Sequence, residues 1–383
     1  MTVTTPAGFV ASGVAAGLKS SGASDLALIV NQGPQSTAAG VFTANRVQAA
    51  PVKWTRQVLA DGELKAVVLN SGGANACTGP RGFQDTHATA EKVAAVLGVG
   101  AVEVAVCSTG LIGEPLPMDA ILSGVDKAAA ALSDAGGADA AEAIMTTDSK
   151  PKNVVVAGDG YSVGGVGKGA GMLAPGLATM LCVFTTDALL DSRTAEDALR
   201  EACRKTFDRL DSDGAMSTND TVLLLASGAS GVAPGTAAFT AELTEACGDL
   251  AKQLLADAEG ATKEVAIEVV GAADEDDAVT VGRSIARNNL VKCALFGQDP
   301  NWGRILAAVG VTDAVFDPDA IDVAVNGVWI CRGGAAAESR DKVDLTGRDV
   351  TITVDLHAGG ESATVWTNDL SHAYVHENSA YST

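Results

Sequence analysis

Short apolar runs alternate with turns through the first part of the chain. Residues 26–30, 40–43 and 66–69 read as strands, each bounded by polar or glycine-containing stretches. The pattern then lengthens. An amphipathic helix is expected over 84–97, a strand over 102–107, and a helix opened by Pro117 and running to about residue 133. A further helix is expected over 139–145, and 153–158 with 161–165 read as a hairpin. Residues 180–185 form a short, continuous apolar run, the pattern of a strand buried on both faces. A helix over about 193–210 sets charges against an Ala/Leu/Cys/Phe face, and a strand follows at 221–226.

Residues 228–236, with Pro234 and several glycines, are the best candidate linker. Beyond them the pattern predicts a helix over 241–257, a strand over 265–271 and a helix over 274–293. The acidic opening of that last helix, Asp274 to Asp277, suits the positive end of a helix dipole. A dense turn at 297–304 precedes strands at 322–325, 328–331, 350–354 and 363–367. At 383 residues the chain exceeds one ordinary core. The expected architecture is mixed α/β with layered sheets and helices in two domains, 1–227 and 237–383. The final residues are rich in Tyr, His and Asn, so the tail is expected to dock rather than fray.

Composition narrows the function classes. The formal net charge of −21 argues against nucleic acid or an anionic membrane as partner. A small anionic substrate stays open, because a local pocket can be basic inside an acidic shell. Seven cysteines are scattered singly with no CxxC pair, which disfavours zinc or a redox dithiol and suits a reducing cytoplasm. The beginning of the chain lacks the basic and apolar regions of a secretory leader, and no apolar run is long enough to predict a membrane span. Four histidines in no HxH or HExxH arrangement give no metal site, so no metal is expected. They also leave a Ser-His-Asp triad with little support.

Candidate chemistry sits where strands end. Residues 70–79 read NSGGANACTG, and 108–117 read STGLIGEPLP. Loop 70–79 lines a site or, at least as readily, is a plain tight turn. Backbone N–H groups and the Thr109 hydroxyl in the second loop are candidate oxyanion donors, each worth about 3–4 kcal/mol if aimed correctly. Thr146, Thr147 and Asp148 end a helix, where the two hydroxyls act as caps or face a ligand. The run GVGKGAG at 165–171 fails as a phosphate loop, because Gly169 follows Lys168 where Ser or Thr is needed. Lys168 is by default a solvated lysine; it is also placed to pair with a substrate carboxylate. The polar loop 211–220 lacks the spacing of a calcium loop.

Thr179 stands at the mouth of the apolar run, after a loop broken by Gly169, Gly171, Pro175 and Gly176. A threonine there is ordinarily an edge residue or a cap. If the Ala178–Thr179 bond were cut, however, Thr179 would gain an α-amine with a reference pKa of about 7.7–8.0 beside its own hydroxyl. That is the N-terminal-threonine route to an activated nucleophile, and it needs no histidine.

With NSGGANACTG, CSTGLIGEPLP (107–117), TTD (146–148), KGAGMLAPGLATMLCVFTTD (168–187), STNDT (217–221), GQDPNWGRI (297–305) and the terminal HENSAYST, the chain resembles the arginine-biosynthetic glutamate N-acetyltransferase (ornithine acetyltransferase) family. The resemblance spans nearly the whole chain. It implies self-cleavage between Ala178 and Thr179, giving an α chain 1–178 and a β chain 179–383, with Thr179 as nucleophile. Thr109 and Gly110 match the family's oxyanion hole. Thr146, Lys168, Thr179, Glu259, Asn378 and Thr383 match its substrate-contacting positions. The implied substrates are N2-acetylornithine and glutamate, without a bound cofactor, in a cytoplasmic (αβ)2 or larger assembly; acetyl-CoA is an alternative donor. Two other classes stay open: an autoprocessed amidohydrolase or aminopeptidase that passes the acyl group to water, and a non-catalytic binding module that keeps the pocket.

Overall fold

The computed structural model describes residues 2–172, 174 and 180–380. Its first sheet has the order β1 (Phe9–Val14), β2 (Leu26–Asn31), β4 (Ala66–Asn70), β5 (Val104–Ser108). The first three strands are antiparallel, and β4 and β5 run parallel, so both end on the same side. A second sheet has the order β3 (Thr37–Phe42), β9 (Thr221–Ala226), β8 (Leu181–Thr186), β7 (Ser162–Lys168), β6 (Lys152–Ala157). Here β8 and β9 are the parallel pair.

These two sheets pack on one another. Leu181 and Val183 of β8, with Leu223 and Leu225 of β9, join the core of the first sheet. Their alternate neighbours Cys182, Phe184, Val222 and Leu224 point the other way, into a core shared with α5 (Ser192–Lys205) and α6 (Thr236–Ala256). Every residue of β8 and β9 is therefore buried, as the unbroken apolar runs predict. Helices α2 (Gly79–Leu97) and α3 (Met118–Ala130) close the far side of the first sheet through Ala90, Val93, Ile121 and Val125. Helix α1 (Ala50–Val58) packs on β5, and α4 (Gly137–Ala143) touches strands of both sheets. Helix α6, which follows the glycine-rich stretch, shares its core with the second sheet.

The third sheet has the order β13 (Ala335–Ala336), β12 (Val328–Arg332), β11 (Asp322–Val325), β14 (Asp349–Asp355), β10 (Glu264–Ala272), β15 (Glu361–Asn368). Burial alternates along β10 and β14, so one face is covered, by α7 (Glu275–Ala286), α8 (Asn289–Phe296) and α9 (Trp302–Val309), and the other is more open. Helix α10 (His372–Ala380) follows β15 and has no buried residue. Among the described residues no helix is long and apolar enough to cross a membrane.

Several sequence expectations need correction. The helix expected over 193–210 ends at Lys205 and passes into a 3₁₀ turn at Phe207–Arg209. The helix expected over 274–293 is two helices. Asn288 accepts hydrogen bonds from the N–H groups of Leu290 and Val291 and so starts α8 as a fresh cap. The dense turn at 297–304 already contains the start of α9, capped by Asn301. Strand β1 and helix α1 lie outside the sequence expectation; β1 is rich in small residues, and α1 has no acidic residue in its first turn.

Candidate active site

The parallel ends of β4 and β5 bring the two glycine-containing loops together. Asn70 Nδ2 donates to Ser108 Oγ at 2.7 Å, and the Thr109 N–H donates to the Asn70 carbonyl at 2.9 Å. The Thr109 carbonyl accepts the Gly73 N–H at 3.0 Å. In a trans peptide the N–H points opposite to the carbonyl it shares a plane with. With the Thr109 carbonyl turned to Gly73, the Gly110 N–H is directed away from that loop, and Gly110 lines a pocket. Gly110 has φ +130, and a Cβ there would lie 2.8 Å from Gly73 N, so the position requires glycine.

Asn219, from the loop before β9, fastens this arrangement from the second sheet. Its Nδ2 donates to the Ser108 carbonyl at 2.8 Å and to the Ala74 carbonyl at 2.6 Å. The next residue, Asp220, is fully buried; its Oδ1 accepts the N–H of Met180 at 3.1 Å. Its Oδ2 has no hydrogen-bond partner among the described residues. Burial pushes the Asp220 carboxyl well above the usual range, against the pull of the Met180 N–H and Lys168.

Six residues singled out in the sequence line the one pocket: Thr109, Gly110, Thr146, Lys168, Glu259 and Asn378. Thr146 follows α4, Lys168 ends β7, Glu259 follows α6, and Asn378 comes from α10. The Glu259 N–H donates to the Ala170 carbonyl at 3.0 Å, and its carboxylate packs on Gly171, where a Cβ would lie 2.8 Å from Oε2. Thr179, its neighbour Ala178 and the terminal Thr383 lie outside the described residues.

Lys168 departs from the default of a solvated lysine. It is 2% exposed and donates to Thr109 Oγ1 at 3.2 Å. Burial lowers its pKa, opposed by Asp148, Asp220 and Glu259. Burial pushes the Asp148 carboxyl up, but Lys168, Lys152 and the Thr146 N–H together hold it below the usual carboxylate range. The Cys107 thiol is pushed up to about 12 by burial, so it offers no competing thiolate near neutral pH.

Sequence reasoning quoted STNDT and TTD as motifs without giving roles to Asn219, Asp220 or Asp148, and it passed over Lys152 and Asp257. Their signal was polar residues set directly against apolar strands, as Asn219 and Asp220 are against β9.

The ArgJ family model matches residues 10–383. The chain belongs to the ArgJ family. It is 64% identical over 382 residues to the arginine biosynthesis bifunctional protein ArgJ of Streptomyces coelicolor, covering all of both chains. It is 60% identical to the ArgJ of Mycobacterium tuberculosis, covering 99% of this chain and 96% of that one. Among solved structures it is similar to ornithine acetyltransferase from Mycobacterium tuberculosis complexed with ornithine. That match is 61% identical, covers 47% of this chain and 96% of that chain, and has a TM-score of 0.45. An ArgJ chain from Bacillus halodurans is 35% identical, covers 51% of this chain and 97% of that chain, and has a TM-score of 0.49.

Proposed function

We propose that this ArgJ protein is a glutamate N-acetyltransferase that moves an acetyl group from N2-acetylornithine to glutamate through an acetyl-threonine ester. The observation that carries the reading is one pocket joining an outward Gly110 N–H, the Thr109 hydroxyl, a buried ammonium and the Glu259 carboxylate. An acyl donor with one carboxylate and one ammonium has a complementary group for each.

The chain first cuts itself. The Thr179 hydroxyl attacks the Ala178 carbonyl, the peptide becomes an ester and frees the Thr179 α-amine, and water then hydrolyses the ester to release the Ala178 carboxylate and restore the Thr179 hydroxyl. The α-amine then takes the proton as Thr179 Oγ attacks the acetyl carbonyl of acetylornithine. Thr109 and the Gly110 N–H stabilise the tetrahedral oxyanion. Collapse expels the ornithine amine, which receives the proton, and leaves acetyl-Thr179. The glutamate amine attacks that ester, N-acetylglutamate departs, and the hydroxyl is restored. Lys168 binds the α-carboxylate of either amino acid, and Glu259 faces the side-chain ammonium of ornithine. Thr146, Asn378 and Thr383 complete the substrate contacts. The mature protein is read as a cytoplasmic (αβ)2 or larger assembly of chains 1–178 and 179–383.

The bifunctional description of relatives at 60–64% identity favours a second activity with acetyl-CoA as donor. Mass spectrometry of the purified protein on a denaturing gel tests the cut, which should yield two chains meeting at Ala178 and Thr179. Acetylornithine with glutamate should yield N-acetylglutamate. Free acetate in equal yield with or without glutamate would assign the protein to the hydrolases instead, and an intact single chain without turnover would leave a binding module.

A further inference from the structure

A buried chain of charges runs behind the pocket. Lys152 is completely buried, and its Nζ lies 2.6 Å from Asp148 Oδ1 and 2.6 Å from Asp257 Oδ2. Asp148 Oδ1 also accepts the Gly169 N–H at 2.7 Å, and its Oδ2 accepts the Thr146 N–H at 3.0 Å. Asp257, at the end of α6, accepts the Ser149 N–H at 2.9 Å and the Ser149 hydroxyl. Three chain segments meet in this cluster, and each carries a pocket residue: Thr146, Lys168 and Glu259.

The placement of Asp148 relative to Lys168 is informative. Among the described residues no carboxylate forms an ion pair with Lys168; its ammonium donates to the neutral Thr109 hydroxyl. The charged groups acting on it are Asp148, Lys152, Asp220 and Glu259, and its own charge adds to burial in lowering the pKa of Lys19. Asp148 leads the attractive ones, yet its own oxygens are taken by Lys152, Gly169 and Thr146. A carboxylate bonded directly to Lys168 would fill the place a ligand carboxylate needs. A carboxylate tethered nearby favours the charged ammonium without taking its N–H groups, and the lysine lines the pocket with Thr109 Oγ1 as its hydrogen-bond partner among the described residues.

We propose that Asp148 is a positioning residue that makes Lys168 selective for a substrate carboxylate, that Lys152 keeps Asp148 from swinging onto Lys168 and closing the site, and that Asp257, by sharing Lys152, limits how far Lys152 neutralises Asp148. Selectivity for α-amino acids over the corresponding amines thus originates in a carboxylate that does not touch the substrate.

This inference rests on the functional reading above, and its test separates the two. Ornithine and 1,4-diaminobutane, the same molecule without its carboxylate, are titrated calorimetrically into wild type and Asp148→Asn between pH 7 and 9. The paired acetylated donors, N2-acetylornithine and N-acetyl-1,4-diaminobutane, are compared in turnover. Wild type should prefer the carboxylate-bearing ligand by about 100-fold, as expected for a desolvated charge pair. Asp148→Asn should cut that preference at least about tenfold, through weaker ornithine binding and not through the diamine. The loss should grow as pH rises, since the unsupported Lys168 gives up its proton first. Preference undiminished in Asp148→Asn, or both ligands weakened alike, overturns the inference alone. Absence of preference in the wild type overturns the reading of the pocket with it. If Asp148→Asn does not fold, the more peripheral Asp257→Asn serves: Lys152 then bears wholly on Asp148, and the preference should fall about threefold. An unchanged preference there would equally overturn the proposal.

Discussion

Lys168 and Lys292 are both buried lysines, one beside the second sheet and one beside the third, and they are held in different ways. Lys292 donates to Thr367 Oγ1 at 2.9 Å and to the Asn368 carbonyl. Lys263, close by, donates to the carbonyls of Leu345 at 2.7 Å and Gly347 at 2.6 Å. These ammonium groups clamp the ends of strands and loops, donating to backbone carbonyls and, for Lys292, also to the Thr367 hydroxyl. The Lys168 ammonium has a single hydroxyl acceptor among the described residues, and it faces a pocket. Burial lowers both pKa values, to about 8 for Lys292. Burial and a shifted pKa alone therefore do not separate a structural lysine from a functional one. Placement at a cavity wall, with no carbonyl or carboxylate acceptor among the described residues, does.

The largest expected effect places the chemistry on the Lys168 side. Thr179→Ala should give an uncut chain with activity down by about 10⁴-fold or more, read by mass spectrometry and acetyl-transfer assay. Processing that survives would move the nucleophile elsewhere. Next, Lys168→Met should lower kcat/KM for acetylornithine by about 10³-fold, whereas Lys292→Met should change it less than about twofold. Equal losses would erase the distinction between the two lysines. Thr109→Ala should lower kcat by about 10²-fold, since the Gly110 N–H remains; unaltered self-cleavage and transfer would take the hydroxyl out of the oxyanion hole.

The smallest effect concerns stability. The Lys292 pKa is lower folded, about 8, than unfolded, about 10.4. The unfolded chain thus binds more protons between those values, and this lysine opposes folding most below pH 8. Wild type should gain stability relative to Lys292→Met as pH rises from 8 toward 10.4, by up to about 3 kcal/mol. Urea melts at pH 7.5 and 9.5 measure it. A difference independent of pH would mean that Lys292 is not desolvated as described.

Much of the frame could be read from the chain. The runs at 180–185 and 221–226 announced two-sided burial, and β8 and β9 are central strands of a sheet covered on both faces. The family motifs named six residues that converge on one pocket. The break at Asn288 was harder to see, because the apolar periodicity continues across it and only the cap geometry ends the helix. Asn219 was hidden for another reason. Its worth lies in two carbonyls, of Ala74 and Ser108, more than a hundred residues away in sequence.

Periodicity and local composition determined where strands and helices form, because burial and backbone sterics act within a few residues. Family motifs pointed to the threonine, the glycine-bearing loop and the acidic and basic residues of the site. Tertiary structure decided what a charge at a given position does. Whether Lys168 is solvated or buried, and whether Asp148 pairs with it or stands behind it, depends on distances between segments that the chain order does not encode. Electrostatic energy follows those distances and the surrounding water, so the same lysine in the same sequence becomes a clamp or a binding group only when the fold is complete.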